Sequence, residues 1–222
     1  MYFELITIPC LSDNYAFILY NAGNRSALLI DAPESTPVNE TLAKNNLNLE
    51  KIFLTHHHAD HINGLDGILD KHNALTVGAQ ADIHRLPKLD EYVQAGDEFF
   101  FQGQTGKIFD VSGHTIGHVA LYFPAQNILF SGDSLMALGC GRLFEGSAAQ
   151  MWNSLSRLIE LPDTTKICSG HEYTENNASF ALSIDPKNRE LIKRSERVKK
   201  ARRKNLFTVP SQLGLEKKLI HF

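Results

Sequence analysis

The segment T-H-H-H-A-D-H-I-N-G, residues 55–64, carries more chemical information than any other part of the chain. His56, His58, Asp60 and His61 place four potential metal donors within six consecutive residues. Neutral imidazoles and carboxylates are ligands of zinc, iron and manganese. The alternative is a solvated polar loop, which gives no reason for such a density of imidazoles.

The spacing has a physical basis. Lys51-Ile52-Phe53-Leu54 reads as a short buried strand leading into the segment. In extended chain, side chains two apart point the same way, so His56 and His58 can converge while His57 points elsewhere. Beyond Asp60 the period changes. Ile62, Leu65, Ile68 and Leu69 share a helical face, which predicts a helix over 61–71. Asp60 and His61 then sit at the turn from strand to helix and can serve a second ion. Asp60 as a helix N-cap is the other reading.

Three further segments repeat this layout. Lys107–Val111 leads through Ser112-Gly113 to His114, Asn127–Phe130 through Ser131-Gly132 to Asp133, and Lys166–Cys168 through Ser169-Gly170 to His171. Each is a short apolar run, a Ser-Gly pair and a candidate ligand. Glycine permits a tight turn or close approach to a ligand. Strands ending at one rim would bring these groups together.

The pattern resembles the metallo-β-lactamase superfamily. The resemblance implies a first metal site of His56, His58 and His114, a second of Asp60, His61 and His171, and Asp133 bridging both. It is closer to the hydroxyacylglutathione hydrolase (glyoxalase II) branch, through G-H-T-I-G-H at 113–118, S-G-D-S-L at 131–135, C-G-R-L-F-E-G at 140–146 and G-H-E-Y-T at 170–174. It implies an α/β fold, an αββα sandwich over 1–170, followed by a small helical substrate-binding domain over 171–222. It also implies substrate contacts from Arg142, Phe144 and Tyr173. Asp31, at the end of a strand-like run, would support a ligand from behind or simply occupy a turn.

The implied reaction is hydrolysis of an S-2-hydroxyacylglutathione thioester by a hydroxide bridging two divalent metal ions, with Asp60 and Asp133 as the catalytic carboxylates. Two ions about 3.5–4 Å apart can bring the pKa of a shared water toward neutrality. Zinc is the expected metal, with iron or manganese as alternatives. The chain lacks a G-x-S-x-G nucleophile motif, which fits direct attack. His118 is expected to be structural, and His57, His72, His84 and His221 to be surface or packing residues. Cys140 is expected to be a small buried residue. Rival readings are another thioesterase or lactonase of the superfamily, an iron-dependent persulfide dioxygenase, and a non-catalytic metal-binding module.

Composition sets wider bounds. The 222 residues are 43% apolar and 21% charged, with net charge −3, which suits a soluble enzyme and gives no global nucleic-acid or membrane footprint. No apolar run approaches the ~18 residues of a spanning helix, and the first residues lack the basic start and apolar stretch of a signal peptide. Cys10, Cys140 and Cys168 form no disulfide framework. A monomer in the cytoplasm is expected. Strands are predicted at 3–8, 15–20, 26–31, 51–54, 75–78, 107–111, 118–123, 127–130 and 166–168. Helices are predicted near 36–46, 148–160, 174–183 and 187–205, with Ala149, Trp152, Leu155, Leu158 and Ile159 as the inner face at 148–160. No strand is expected after Gly170. Basic residues between Lys193 and Lys204 form a solvated face or attract an anionic substrate. Many members of the branch continue beyond the position of Phe222 with basic residues that hold glutathione. The sequence read here ends there, so weaker selectivity for glutathione is expected.

Overall fold

Residues Asn14–Asn21 are buried at every position, as in a strand covered on both faces. Tyr15, Phe17 and Leu19 enter one core, whereas Ala16, Ile18 and Tyr20 enter another. That alternation is the period of a strand, and it places this one between two hydrophobic layers.

The computed structural model describes residues 2–219. The first part of the chain forms β1 (Phe3–Cys10), β2 (Asn14–Asn21), β3 (Ser26–Ile30), α1 (Ser35–Lys44), β4 (Asn48–Leu54), α2 (Ala59–Ile62), α3 (Leu65–Leu69), β5 (Leu75–Ala79) and β6 (Glu91–Val93). Then follow β7 (Glu98–Phe101), β8 (Gln104–Asp110), β9 (Val119–Phe123), β10 (Ile128–Gly132), the hairpin β11 (Leu135–Met136) and β12 (Gly139–Cys140), α4 (Ala148–Leu158) and β13 (Lys166–Ser169). The last part forms α5 (Thr174–Ile184), α6 (Arg189–Arg202), β14 (Ser211–Gln212) and α7 (Leu213–Leu219).

One sheet has the order β1-β2-β3-β4-β5-β6 and the other β14-β13-β10-β9-β8-β7. Phe53, Phe99, Phe123 and Phe130 fill the space between them. Helices α1 and α3 cover the first sheet through Val38, Leu42, Leu65 and Ile68. Helix α4 covers the second through Met151, Leu155 and Leu158. This is the αββα sandwich that the resemblance implies. Deleting the fully buried Phe130 side chain should cost about 3–5 kcal/mol.

Topology builds the rim. β10 runs parallel to β13, and β8 is antiparallel to β9, which is antiparallel to β10. Strands β8, β10 and β13 therefore point the same way, and each ends in its Ser-Gly turn at one edge. Gly132 has φ +49°, and a Cβ there would lie 2.6 Å from His118 Cε1. At Gly170 a Cβ would lie 2.5 Å from Asp133 Oδ1. Side chains at these two turns would collide with the rim they create.

Several elements differ from expectation. The helix predicted over 61–71 is two short helices, α2 and α3. The Gly64 N–H between them donates to the Ala32 carbonyl (2.8 Å), which binds the break to the chain after β3. His58, not Asp60, is the N-cap residue. The buried face of α4 is Met151, Ser154, Leu155 and Leu158, while Ala149 and Trp152 turn outward. Both sets fit a helical period and share Leu155 and Leu158, and Met151 with Ser154 completes the buried one. β14 pairs antiparallel with β13 although no strand was expected after Gly170. Its two residues are too few to display a period.

Candidate metal centre

The site starts behind the metal-binding loop. Asp31 follows β3 in the left-handed region, φ +58°, which aspartate tolerates better than most residues. Its carboxylate accepts the Thr55 N–H (2.8 Å) and the Thr55 hydroxyl (2.9 Å), and its Oδ2 also lies 2.8 Å from His61 Nδ1. The Thr55 hydroxyl proton is committed to Asp31, so Thr55 Oγ1 accepts from His56 Nδ1 at 3.0 Å. His114 Nδ1 donates to the Arg142 carbonyl (2.7 Å), and His171 Nδ1 donates to Asp13 (2.9 Å). Each of these bonds ties down one ring nitrogen and turns the other inward.

The inward nitrogens and carboxylates form three overlapping groups able to hold metal: His56, His58 and His114; Asp60, His61 and His171; and His56, His61 and Asp133. Within each group the donor atoms lie within 4.8 Å of one another. Asp133 sits between the first two, 3.4 Å from His114 Nε2, 3.5 Å from His61 Nε2 and 3.2 Å from His171 Nε2. His171 Nε2 lies 3.4 Å from Asp60, which Asn14 Nδ2 steadies at 3.1 Å. His58 contributes Nδ1, 3.0 Å from His114 Nε2.

These residues fit a cation. His56 Nε2, His61 Nε2 and Asp133 Oδ1 are buried and make no hydrogen bond among the described residues. Buried polar atoms seldom stay unpaired, and these converge on one volume. The charge balance agrees. Burial depresses the pKa of His56, His58 and His114 and keeps them neutral, as ligands must be. Burial also opposes charge on His61 and His171, but Asp133 with Asp31 outweighs it at His61, and Asp133 with Asp60 lifts His171 to about 10. The His171 contact holds Asp60 well below the usual carboxylate range. Burial would raise Asp133, but His61 and His171 hold it low. The carboxylates of the rim favour positive charge in this volume.

The remaining histidines have other tasks. His118 stacks on His56 with ring centroids 4.6 Å apart, and its Nε2 accepts the Asp133 N–H at 3.0 Å. It positions Asp133 and does not join the donor groups. His57 bonds Asp82 (2.8 Å), His72 meets Asn39 (3.2 Å), and His84 is exposed. His221 lies outside the described residues. Cys140 is half-buried at the cleft, and burial raises its thiol pKa, which disfavours a nucleophilic thiolate.

A cleft of about 510 Å³ opens over the donors and is lined by Arg142, Phe144, Tyr173, Met136, Asn176 and Asn177 among others. Tyr173 stacks on His171 at 4.5 Å. Phe144 sets its ring edge-on to His58 and His114, at 5.5 and 5.3 Å. A larger cavity of about 1110 Å³, between β1 and α6, shares no residue with this cleft. Sequence reasoning missed Asp13 and Asn14. Asp13 precedes β2 and Asn14 opens it, and nothing local links them to His171, far along the chain.

Comparison with known proteins places this geometry. The model of the metallo-β-lactamase superfamily matches residues 12–171, and that of the hydroxyacylglutathione hydrolase C-terminus matches residues 172–222. The hydroxyacylglutathione hydrolase of Ruegeria pomeroyi is 50% identical, over 96% of this chain and 84% of the relative. The protein of that name from Roseobacter denitrificans is 52% identical over the same shares. The chain belongs to the hydroxyacylglutathione hydrolase branch of the metallo-β-lactamase superfamily. Among solved structures, the B3 metallo-β-lactamase BLEG-1 shares the fold at TM-score 0.71 and 24% identity, over 76% of this chain and 91% of that one. ETHE1 from Myxococcus xanthus matches at TM-score 0.64 and 30% identity, over 78% and 76%. The hydroxyacylglutathione hydrolase branch thus spans both the sandwich and the C-terminal helices of this chain. Among the described residues, no helix is long and apolar enough to cross a membrane.

Proposed function

We propose that the chain hydrolyses the thioester of an S-2-hydroxyacylglutathione, such as S-lactoylglutathione, to a 2-hydroxy acid and glutathione. The observation that carries this reading is two donor trios joined through Asp133 beneath a cleft walled by Phe144 and Tyr173. His56, His58 and His114 would hold one divalent cation, Asp60, His61 and His171 a second, and Asp133 both. Histidine with carboxylate suits zinc, and iron or manganese can take the same donors. Such a pair supplies a nucleophilic hydroxide at neutral pH and a Lewis acid for the developing oxyanion.

The chain's own residues orient and enclose. Asp31, Asp13, Thr55 and the Arg142 carbonyl fix the rings that present the donors. Asp60 and Asp133 supply the negative charge of the site. Phe144 and Tyr173 offer two faces to the thiol portion of the substrate, and Arg142 offers a cation to its carboxylates. A thiolate departs without a proton donor, so the cleft requires no general acid. We divide the chain functionally into a hydrolase region, 1–170, and a substrate-binding region, 171–222. The three cysteines are free thiols, which suits a cytoplasmic location, and we assign the chain as a monomer.

The test is turnover of S-D-lactoylglutathione by metal-loaded protein, with His58→Ala as control. Turnover that disappears in the variant supports the reading. Two metals per chain without turnover would move the assignment to another thioester or a lactone. One iron with oxygen uptake would move it to persulfide oxidation.

A further inference from the structure

Two residues that the ligand set leaves without a task, His57 of the metal-donor loop and Glu145 of the 140–146 segment, meet in the structure. His57 Nε2 lies 3.6 Å from Glu145 Oε1. On its other side, His57 Nδ1 lies 2.8 Å from Oδ2 of Asp82, which is fully buried. Arg85 closes the ring, with Nε donating to Asp82 and Nη1 to Glu145. The second Glu145 oxygen accepts the Ile116 N–H at 2.7 Å. Glu145 therefore joins three segments: the donor loop at 57, the turn after His114, and the turn after β5.

The loop it anchors carries the mouth of the cleft. Phe144 is 63% exposed, so burial does not fix it. Its N–H donates to the His114 carbonyl at 3.2 Å, and Gly146 N–H donates to the Gly113 carbonyl at 3.0 Å. Arg142 lies two residues before Phe144 and lines the same cleft. No Glu145 side-chain atom belongs to a donor group. Those rings are oriented by Asp31, Asp13, Thr55 and the Arg142 carbonyl. Displacing the loop moves the cleft mouth while the donors keep most of their supports.

We propose that Glu145, clamped by Arg85 and His57 over Asp82, is a positioning residue that fixes Arg142 and Phe144 and so sets affinity for the thiol portion of the substrate. The proposal rests on the thioesterase reading for its substrate and on the hydrogen bonds that Arg85 and Ile116 make to Glu145 for its mechanism. Loss of a charge-assisted hydrogen bond from such a ring should be felt about tenfold.

The experiment measures KM, kcat, metal content and amide exchange of residues 141–146 in Glu145→Gln, Arg85→Met, Arg85→Lys and the Glu145→Gln/Arg85→Met double variant. Glutamine keeps an acceptor for Ile116 and preserves the shape of the loop. In Glu145→Gln, KM should rise about tenfold with kcat within about twofold, an effect on binding and not on chemistry. Metal content should stay at the wild-type level, Arg85→Lys should recover most of the loss, and the double variant should be no worse than the worse single one. Unchanged KM, or kcat and metal content falling together, overturns the proposal. If the wild-type protein itself fails to turn over the glutathione thioester, the functional reading fails separately, and exchange then decides the clamp. Faster exchange at 141–146 in Glu145→Gln upholds it, and unchanged exchange overturns it.

Discussion

Asp133 and Glu216 are both buried, at 4% and 0% exposure, and each keeps one oxygen without a hydrogen-bond partner among the described residues. Their surroundings are opposite. Asp133, at the rim of the sandwich, faces His61 and His171 and is held as a carboxylate. Glu216, on α7, accepts the Leu138 N–H at 2.7 Å, with Arg194 no closer than 3.7 Å, and burial pushes its pKa up. One region holds negative charge to meet a cation. The other uses a carboxyl group to satisfy one backbone donor in the turn between β11 and β12. A buried acid is therefore not by itself a sign of chemistry, and the company it keeps decides.

Asp133→Asn should give the largest effect. It removes the charge shared by both donor trios, so turnover should fall by more than the roughly 10–100-fold that loss of an outer partner costs. Metal analysis should show fewer than two ions per chain, and full occupancy with wild-type turnover would break the contrast between the two acids. Next comes Asp31→Asn, which weakens the support behind His61. Metal affinity should drop about 10–100-fold in a chelator competition, with the fold retained by circular dichroism.

Glu216 sharpens the contrast from the other side. Glu216→Ala leaves the Leu138 N–H buried and unpaired, and should cost about 1–3 kcal/mol in urea unfolding without changing metal content. The smallest effect is the pH response of Glu216→Gln. The raised Glu216 pKa favours the protonated folded state, so its stabilising contribution is complete below the unfolded value near 4.5 and is lost as pH rises through the folded value. Glutamine does not titrate. Wild-type stability relative to Glu216→Gln should therefore be greater at pH 4 than at pH 8, and a flat difference would show that Arg194 compensates the charge.

The sandwich and the candidate donors were legible because each candidate follows an apolar strand, and the Ser-Gly turns mark where those strands stop. His114, Asp133 and His171 stand out in that context, as do His56 and His58 by their spacing. The supporting shell was not legible. Asp13 reaches His171 only because β2 begins beside the residue that follows β13, a relation set by the meeting of the two sheets and not by local pattern. The meeting of His57 with Glu145 is hidden for the same reason. On α4 two candidate stripes compete, and only packing against Val111, Ala120 and Leu129 selects the one through Met151. β14 is named by its partner β13 alone.

The parallel pairing of β10 with β13 has a consequence in time. The chain is made from its N-terminus, so His56, His58 and His114 emerge before β13 exists. The second trio waits for His171, which follows β13, the strand that pairs with β10. A nascent chain holds one complete set of donors while the other still lacks its last member. Chain order thus places Asp133 between the residues that complete the two trios, His114 and His171.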